Sequence, residues 1–342
     1  MSTTNTYAAL LPRKQQQSFA LLDDLFPRLK FVKFSRGDVL DQRTGKKGIF
    51  RLYDDLASPV AASGEGDTAV GQQMTCSDVP VNIVHFLSSV PLTKDMVLYH
   101  EDDFIAIAKE KIPRQLAQTA DKYLFSQYKG GTQVRYAKGV ASRVLTAAAP
   151  TRADFDLAVR DLEAVNVPRL TKIVAPSIKI NTTAIPASYI AICHPNLRGD
   201  IVRTDGYVPI EKYGSLQPLD PDEGGSSPSG LRFIFTTICE PWLSSGVSGT
   251  GFLAGGGPVT VAASADVYPI LIIGEDAWGH LDLKNHKSME VSVIKPGSPQ
   301  ARTVTDPTGE NGCVAADLII GGCILDERRT IRLECLASKT WN

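Results

Sequence analysis

The chain has 342 residues, of which 43% are hydrophobic and 21% charged, as in an ordinary globular protein. That length exceeds what a single hydrophobic core usually holds, so we expect two or three lobes. The formal net charge of −1 argues against binding to nucleic acid or membranes through overall charge. Residues 1–47 are locally basic, with nine Lys or Arg against four Asp or Glu, which is typical of a solvated arm.

The sequence carries no recognisable export or membrane signal. No stretch approaches the roughly 18–20 consecutive apolar residues of a membrane span, and the first residues lack the basic start, apolar core and cleavage site of a secretory signal. The cysteines form no Cys-x-x-Cys pair, so their spacing argues against a zinc site. We expect them to be reduced, buried thiols of a cytosolic protein. They are Cys76, Cys193, Cys239, Cys313, Cys323 and Cys335.

The chain begins with an arm, for which the pattern predicts only one or two helical turns around Ser18–Leu29. Alternating side chains then predict a strand at Ile49–Tyr53 and a returning strand at Val81–His85. Glycines among small and polar residues between them predict a loop with its tip near Gly64–Gly71. These strands have no evident sheet of their own, and an isolated hairpin is marginal in water, so we expect a partner surface.

Two helices are predicted next. Apolar side chains recur at steps of three and four along Glu101–Tyr128, and three acidic residues at its start suit the helix dipole. Pro113 is expected to kink this helix or split it. The second helix, Thr151–Val165, begins with a Thr-x-x-Asp capping pattern.

Apolar runs dominate the rest of the chain and predict strands. They lie at Thr171–Ile180, Tyr189–Cys193, Arg232–Ile238, Val267–Ile273, Val314–Ile324 and Thr330–Leu336. Two stretches rich in Gly, Ser and Pro, Asp220–Gly230 and Ser244–Pro258, are predicted loops. The second lacks the strand–turn–helix frame and the later acidic residue of a dinucleotide site, so its glycines do not predict nucleotide binding.

A cysteine beside a histidine, Cys193–His194, raises the question of a cysteine-dependent hydrolase or a metal site. Adjacent strand residues point to opposite faces, so these two side chains cannot form a dyad with each other. The run Tyr189–Cys193 predicts a buried strand, and Pro195 suits the first position of a helix that puts Leu197 and Ile201 on one face. We therefore predict a strand-to-helix corner with the histidine near the N-cap, and keep the hydrolase as a minor alternative.

The other candidate residues do not form a recognisable site. No pair of histidines has the i,i+4 spacing of a helical metal site, and no Gly-x-Ser-x-Gly elbow is present. These histidines are His85 in the returning strand, His100 before the long helix, and His280 and His286 beside a loop. The paired acids Asp54–Asp55 and Asp102–Asp103 are typical of a solvated surface and a helix start. We predict no catalytic, cofactor-binding or metal-binding residue, hence no enzyme and no cofactor.

Four segments, in this order and spacing, resemble those of one family. They are "ADKYLFSQYKGGTQVRYAKG" (Ala120–Gly139), "YIAICHPNLRGDI" (Tyr189–Ile201), "VYPILIIGEDAWGHLDL" (Val267–Leu283) and the apolar strand pair Val314–Leu336. The sequence resembles the major capsid protein family of short-tailed, N-four-like phages, which has the α+β Hong Kong 97-type capsid fold. The resemblance implies a structural protein that assembles into the pentamers and hexamers of an icosahedral head. An encapsulin-like nanocompartment shell is the alternative.

The resemblance also implies how the chain is divided. It places an N-terminal arm at 1–47, an extended hairpin (the E-loop) at 48–90, the spine helix and first part of a peripheral domain at 91–150, an axial domain at 151–291, and return strands of the peripheral domain at 292–342. Its implied partners are further copies of the chain, a portal, a scaffolding protein and optional decoration proteins. The head would enclose double-stranded DNA without reading its sequence, and the protein would reside in the virion after synthesis in the host cytoplasm.

Overall fold

The computed structural model describes residues 30–41, 45–54, 56, 71–100, 102–170, 187–213, 219–249, 251–258, 263–283 and 289–339. The α-helices within these ranges are α1 (Lys94–Tyr99), α2 (Phe104–Tyr128), α3 (Arg152–Ala164) and α4 (Arg198–Val202). The strands are β1 (Arg36–Leu40), β2 (Lys47–Tyr53), β3 (Cys76–Thr93), β4 (Val134–Tyr136), β5 (Tyr189–Cys193), β6 (Val208–Pro209), β7 (Glu223–Ser227), β8 (Leu231–Phe235), β9 (Ser248–Gly249), β10 (Leu253–Ala254), β11 (Gly257–Pro258), β12 (Ala263–Ser264), β13 (Val267–Ile273), β14 (Trp278–Leu283), β15 (Met289–Ile294), β16 (Asn311–Ile324) and β17 (Thr330–Leu336). The predicted helical turns at Ser18–Leu29 and the predicted strand at Thr171–Ile180 lie outside the described residues.

The first sheet has the strand order β1–β14–β16–β3–β2, and β15 also pairs with β16. β3 belongs to two pairings, because residues 83–93 pair with β16 while residues 76–82 pair with β2. The expectation that the hairpin strands have no sheet of their own is therefore wrong for residues 83–93, the part of β3 nearest the long helix in the chain. The returning strand is also much longer than Val81–His85. Its alternation is weak because most of its side chains are at least partly exposed.

The second sheet has the order β4–β17–β13–β5–β8–β7–β6, with parallel pairs β4–β17 and β5–β8. Its central strands β5 and β13 are buried along their whole length. Ile190 and Ile192 join the core around α2, whereas Ala191 and Cys193 join the core against α3. Burial on both faces explains why β5 and β13 are continuous apolar runs, and both have the predicted bounds.

The long helix α2 lies between the two sheets and contributes to one of the two main cores. It begins at Phe104, later than predicted, where the Asp103 carboxylate accepts hydrogen bonds from the next turn. The helix runs unbroken through Pro113, so of the two expected outcomes, a kink or a split, the split is wrong. A proline costs a helix about 3 kcal/mol. The flanking Ile112 and Leu116 are buried, and burying each contributes about 1.5–3 kcal/mol.

The second predicted helix is confirmed as α3. Its capping box is present, with the Asp154 carboxylate accepting from the backbone N–H of Thr151 at 2.9 Å and from its hydroxyl at 2.7 Å. The same carboxylate accepts from the backbone N–H of Lys138 at 2.9 Å. The helix start is therefore joined to the preceding chain as well as capped.

Both predicted loops contain strands. β7 lies inside Asp220–Gly230 and pairs with β8. At Gly225, with φ of +156°, a Cβ would come within 2.5 Å of the Val208 carbonyl oxygen, so glycine here permits close packing of backbone. Ser244–Pro258 contains β9, β10 and β11. This stretch is organised by the fully buried Asp266, which accepts from the backbone N–H groups of Ser244, Gly255 and Gly256 at 2.7–2.9 Å.

Candidate interaction surface

The Cys193–His194 corner has the predicted structure. β5 ends at Cys193, and a short 3₁₀ helix, Pro195–Leu197, leads directly into α4. His194 is the N-cap, because its Nδ1 accepts a hydrogen bond from the backbone N–H of Asn196 at 3.1 Å. Leu197 and Ile201 are buried in the same core. The motif therefore forms the connection from the buried strand β5 to the helix α4.

The environment of Cys193 disfavours a nucleophile. The thiol is fully buried, with its Sγ 3.7 Å from the carbonyl oxygen of Ile234. Burial raises the pKa of the Cys193 thiol well above its ordinary value and lowers the pKa of the neighbouring His194. Since the thiolate is the reactive form, a raised thiol pKa opposes nucleophilic chemistry.

The other candidate histidines lie apart from one another. His85 on β3 places its Nε2 3.2 Å from Asp317, and His100 follows α1 as its C-cap. His280 lies within β14 rather than beside a loop, with its Nδ1 2.7 Å from the hydroxyl of Ser35. His286 lies outside the described residues. Among the described residues, no group of three His, Cys, Asp or Glu side chains is placed to hold a metal ion.

The cysteines only partly follow the prediction of buried thiols. All are free; Cys193, Cys239 and Cys335 are buried, but Cys76 is exposed and Cys313 and Cys323 are half-buried. The exposed thiol of Cys76 begins β3 in the hairpin, where the strand pairs with β2 at Tyr53. No helix in the described part of the chain is long and apolar enough to span a bilayer.

Large apolar side chains are instead exposed on the hairpin formed by β2 and β3, which we call the hairpin surface. Ile49 and Tyr53 of β2 are 61% and 57% exposed, and Met74, just before β3, is 64% exposed. Single exposed apolar residues are ordinary, but several on one extended element mark a surface that another molecule covers. This agrees with the expectation that the hairpin needs a partner.

The short helix α1 adds a second apolar surface, which was not predicted from the sequence. It buries none of its residues, and Val97, Leu98 and Tyr99 are exposed, Tyr99 by 84%. An isolated helix of six residues is not stable by itself in water, and helices usually depend on packing of an apolar face. α1 is held by its N-cap Thr93 and by the ion pair of Lys94 with Glu310 at 3.4 Å. The signal that could have revealed this surface is the run "MVLY" at 96–99, four consecutive large apolar residues that cannot all lie on one buried face of a helix.

A third exposed feature is the edge strand β1. Its side chains are exposed over Arg36–Val39, and among the described strands it pairs only with β14. An unpaired strand edge offers backbone donors and acceptors to another chain, which is why monomeric proteins usually cover or blunt such edges. The hairpin surface, α1 and β1 are all features that favour association over catalysis.

No protein-family model matches this chain, and neither does any curated protein. Several solved structures do match, at low identity and nearly full length. The capsid of Ralstonia phage GP4 has a TM-score of 0.65 at 13% identity, with 98% of each chain covered. The capsid of cyanophage P-SCSP1u has a TM-score of 0.64 at 14% identity, covering 97% of this chain and 95% of the other.

The head structure of Helicobacter pylori bacteriophage KHP40 has a TM-score of 0.61 at 12% identity, with 98% of each chain covered. At such identities the likeness concerns the fold and not the individual side chains. It extends over nearly the whole of both chains rather than over one shared module. This chain therefore has the mixed α+β fold of phage capsid proteins.

Proposed function

We propose that this chain is the major capsid protein of a tailed phage, which assembles with copies of itself into an icosahedral head. The observation that carries the proposal is coverage, because 95–98% of both chains align with phage capsid structures. A likeness confined to one sheet would be compatible with many functions. The neighbours described above are phage heads, which favours this proposal over the encapsulin-like nanocompartment.

We assign the head to the Hong Kong 97-like type and the chain to the division given above: arm 1–47, E-loop 48–90, spine and first peripheral part 91–150, axial domain 151–291 and return strands 292–342. The order of elements supports this assignment. A hairpin precedes the long helix α2, and the long strand β16 returns to pair with the hairpin's own strand β3. The resemblance in sequence supports it independently.

Assembly would follow from surface physics rather than from chemistry. The hairpin surface and α1 offer apolar area that the described subunit does not cover. If neighbours bury on the order of 2,000 Å² per subunit, the apolar part contributes tens of kcal/mol before the cost of ordering, at roughly 25 cal/mol per Å². Closed symmetry repeats each contact around the shell.

The head would contain DNA without recognising its sequence. The net charge of −1 gives the chain no overall excess of the basic groups on which tight DNA binding depends. A portal, a scaffolding protein and decoration proteins are the further partners that the family resemblance implies. Neither a cofactor nor an enzymatic reaction forms part of the proposal.

Electron microscopy tests the proposal most directly. We expect the purified chain to form closed shells, or rings of five and six subunits, with a matching early elution from a sizing column. A monodisperse monomer at every concentration and ionic strength, including after co-expression with the neighbouring phage genes, would contradict it. Shells that co-purify with one enzyme cargo would instead favour the nanocompartment.

A further inference from the structure

Residues 30–32 are fixed to the C-terminal third of the long helix α2. The carboxylate of Asp121, which is fully buried, accepts from the backbone N–H groups of Lys30 and Phe31 at 2.8 Å and of Val32 at 3.2 Å. The Phe31 ring is buried among the rings of Phe125, Tyr128 and Trp278, with centroid distances of 5.4–6.2 Å. Polar and apolar contacts therefore hold this segment at the same place.

The Lys30 side chain joins this segment to a different part of the fold. Its Nζ forms a short ion pair with Asp220 and lies 2.7 Å from the carboxylate of Asp222. Lys33 adds a second amine, 2.8 Å from Asp220 and 3.1 Å from the carbonyl oxygen of Leu219. These acceptors lie in the turn 219–223, which leads into β7 of the second sheet. Residues 30–33 thus bridge α2 and this turn.

The two ends of the bridge differ in kind. At the helix end one carboxylate has three backbone donors, which are fixed once the backbone is fixed. At the turn end the donors are two side-chain amines; the Lys30 side chain is 3% exposed and that of Lys33 is 47% exposed. The Asp220 side chain is also only 3% exposed. Without Lys30, the buried Asp220 carboxylate keeps only the amine of the half-exposed Lys33 as a cationic partner. A buried charge with weaker compensation is costly, so loss of the Lys30 pair favours movement of the turn into water.

We propose that Lys30 and Asp220 form a releasable latch, which holds the turn 219–223 against residues 30–33 and lets it swing outward while residues 30–32 stay on α2. The latch is a property of the folded subunit and does not depend on the proposed function. In a shell, it would let the rim of the second sheet change position without moving the anchored segment.

Amide hydrogen exchange of the unassembled full-length chain tests the latch. Lys30→Met removes the ammonium group but keeps the aliphatic stem and the backbone N–H bonded to Asp121. We expect the amides of residues 219–227 to exchange about ten-fold faster or more, while those of residues 30–34 keep their wild-type rates. Asp220→Asn, which removes the other charge, should give the same local change.

Two matched variants sharpen the result. Asp121→Ala should reverse the pattern, with faster exchange in residues 30–34 and a smaller change in residues 219–227. Arg51→Met removes an exposed ion pair of the hairpin with Asp78 and should change neither region. Wild-type exchange at 219–227 in both latch variants, or equal acceleration in residues 30–34, would overturn the proposal. Because shell formation is not the readout, a failure of the proposed function leaves this test interpretable.

Discussion

Apolar side chains lie in two contrasting environments, the central strands of the second sheet and the hairpin surface. β5 and β13 bury every residue on one face or the other, whereas Ile49 and Tyr53 of the hairpin are mostly exposed. A buried side chain stabilises the subunit that contains it. An exposed one contributes nothing until another surface covers it, so the same residue type supports folding in one region and association in the other.

The largest expected effect separates these two roles directly. Ile192→Ala, at a fully buried position of β5, should lower the free energy of unfolding by about 2–5 kcal/mol, because it removes buried methyl groups and leaves a cavity. The same substitution at the exposed Ile49 should cost about 0.5 kcal/mol or less. Urea denaturation of both variants measures the difference. Equal losses would place the hairpin in the core.

An intermediate effect is expected at the turn 219–223, between the buried sheet and the open surface. Burial raises the pKa of Asp220, but hydrogen bonds from Lys30 and Lys33 outweigh it and lower the pKa from 3.8 to about 2. The stability that the ionised Asp220 carboxylate contributes is therefore complete above pH 4 and is lost as the pH falls through 2. Asp220→Asn should cost about 2 kcal/mol at pH 7.

The pH profile of that variant is its control. The stability difference between the wild type and Asp220→Asn should shrink between pH 4 and pH 2, as measured by denaturation at each pH. A difference that stays constant down to pH 2 would mean that the ionised carboxylate is not the stabilising group.

A smaller effect on the free energy of unfolding is expected from removing the N-terminal caps of α3 and α1. Asp154→Ala removes the capping box of α3, whose apolar face is buried, and should cost about 1–2 kcal/mol in thermal or urea unfolding. Thr93→Ala removes the N-cap of α1, a helix that buries no residue. The hydroxyl of Thr93 accepts a hydrogen bond from the backbone N–H of Met96 at 3.4 Å. That change should leave global unfolding almost unaffected, since α1 contributes little to the core. Comparable losses of unfolding free energy for Asp154→Ala and Thr93→Ala would mean that α1 stabilises the subunit as much as α3 does.

The smallest effect on folding is expected for deletion of the hairpin tip, Gly64–Gly71, most of which lies outside the described residues. The subunit should keep its circular dichroism spectrum and thermal midpoint, while shell formation is impaired. Deletion of Gly255–Gly256, which the buried Asp266 holds through two hydrogen bonds, should by contrast destabilise the subunit. Loss of soluble protein on deleting the hairpin tip would place that loop in the core.

The sequence predicts the buried elements best. β5, β13 and β17 have the predicted bounds because burial on both faces produces uninterrupted apolar runs. α1 was missed because six residues with no buried face carry no helical periodicity. β7 was missed because its Gly-Gly-Ser-Ser composition is that of a loop, although here the absent side chains make room for neighbouring backbone and rings.

The interaction surface was predicted only in part. The hairpin could be found because its strands lacked an evident sheet, yet its pairing with β16 joins residues more than 200 positions apart. The latch shows the same limit, since Lys30 meets Asp121 and Asp220 across separations of 91 and 190 residues. Local patterns indicate that a side chain is polar, but only the packed fold determines which partner it reaches.

The length of β3 has a mechanical consequence. Its eighteen residues extend about 60 Å at roughly 3.3 Å per residue, and eleven of them pair with β16 while seven continue into the hairpin. A neighbour that pulls along the hairpin therefore loads those eleven backbone pairs together in shear instead of peeling them one by one. Tension applied at the hairpin is carried by the same strand into the sheet that packs against the long helix.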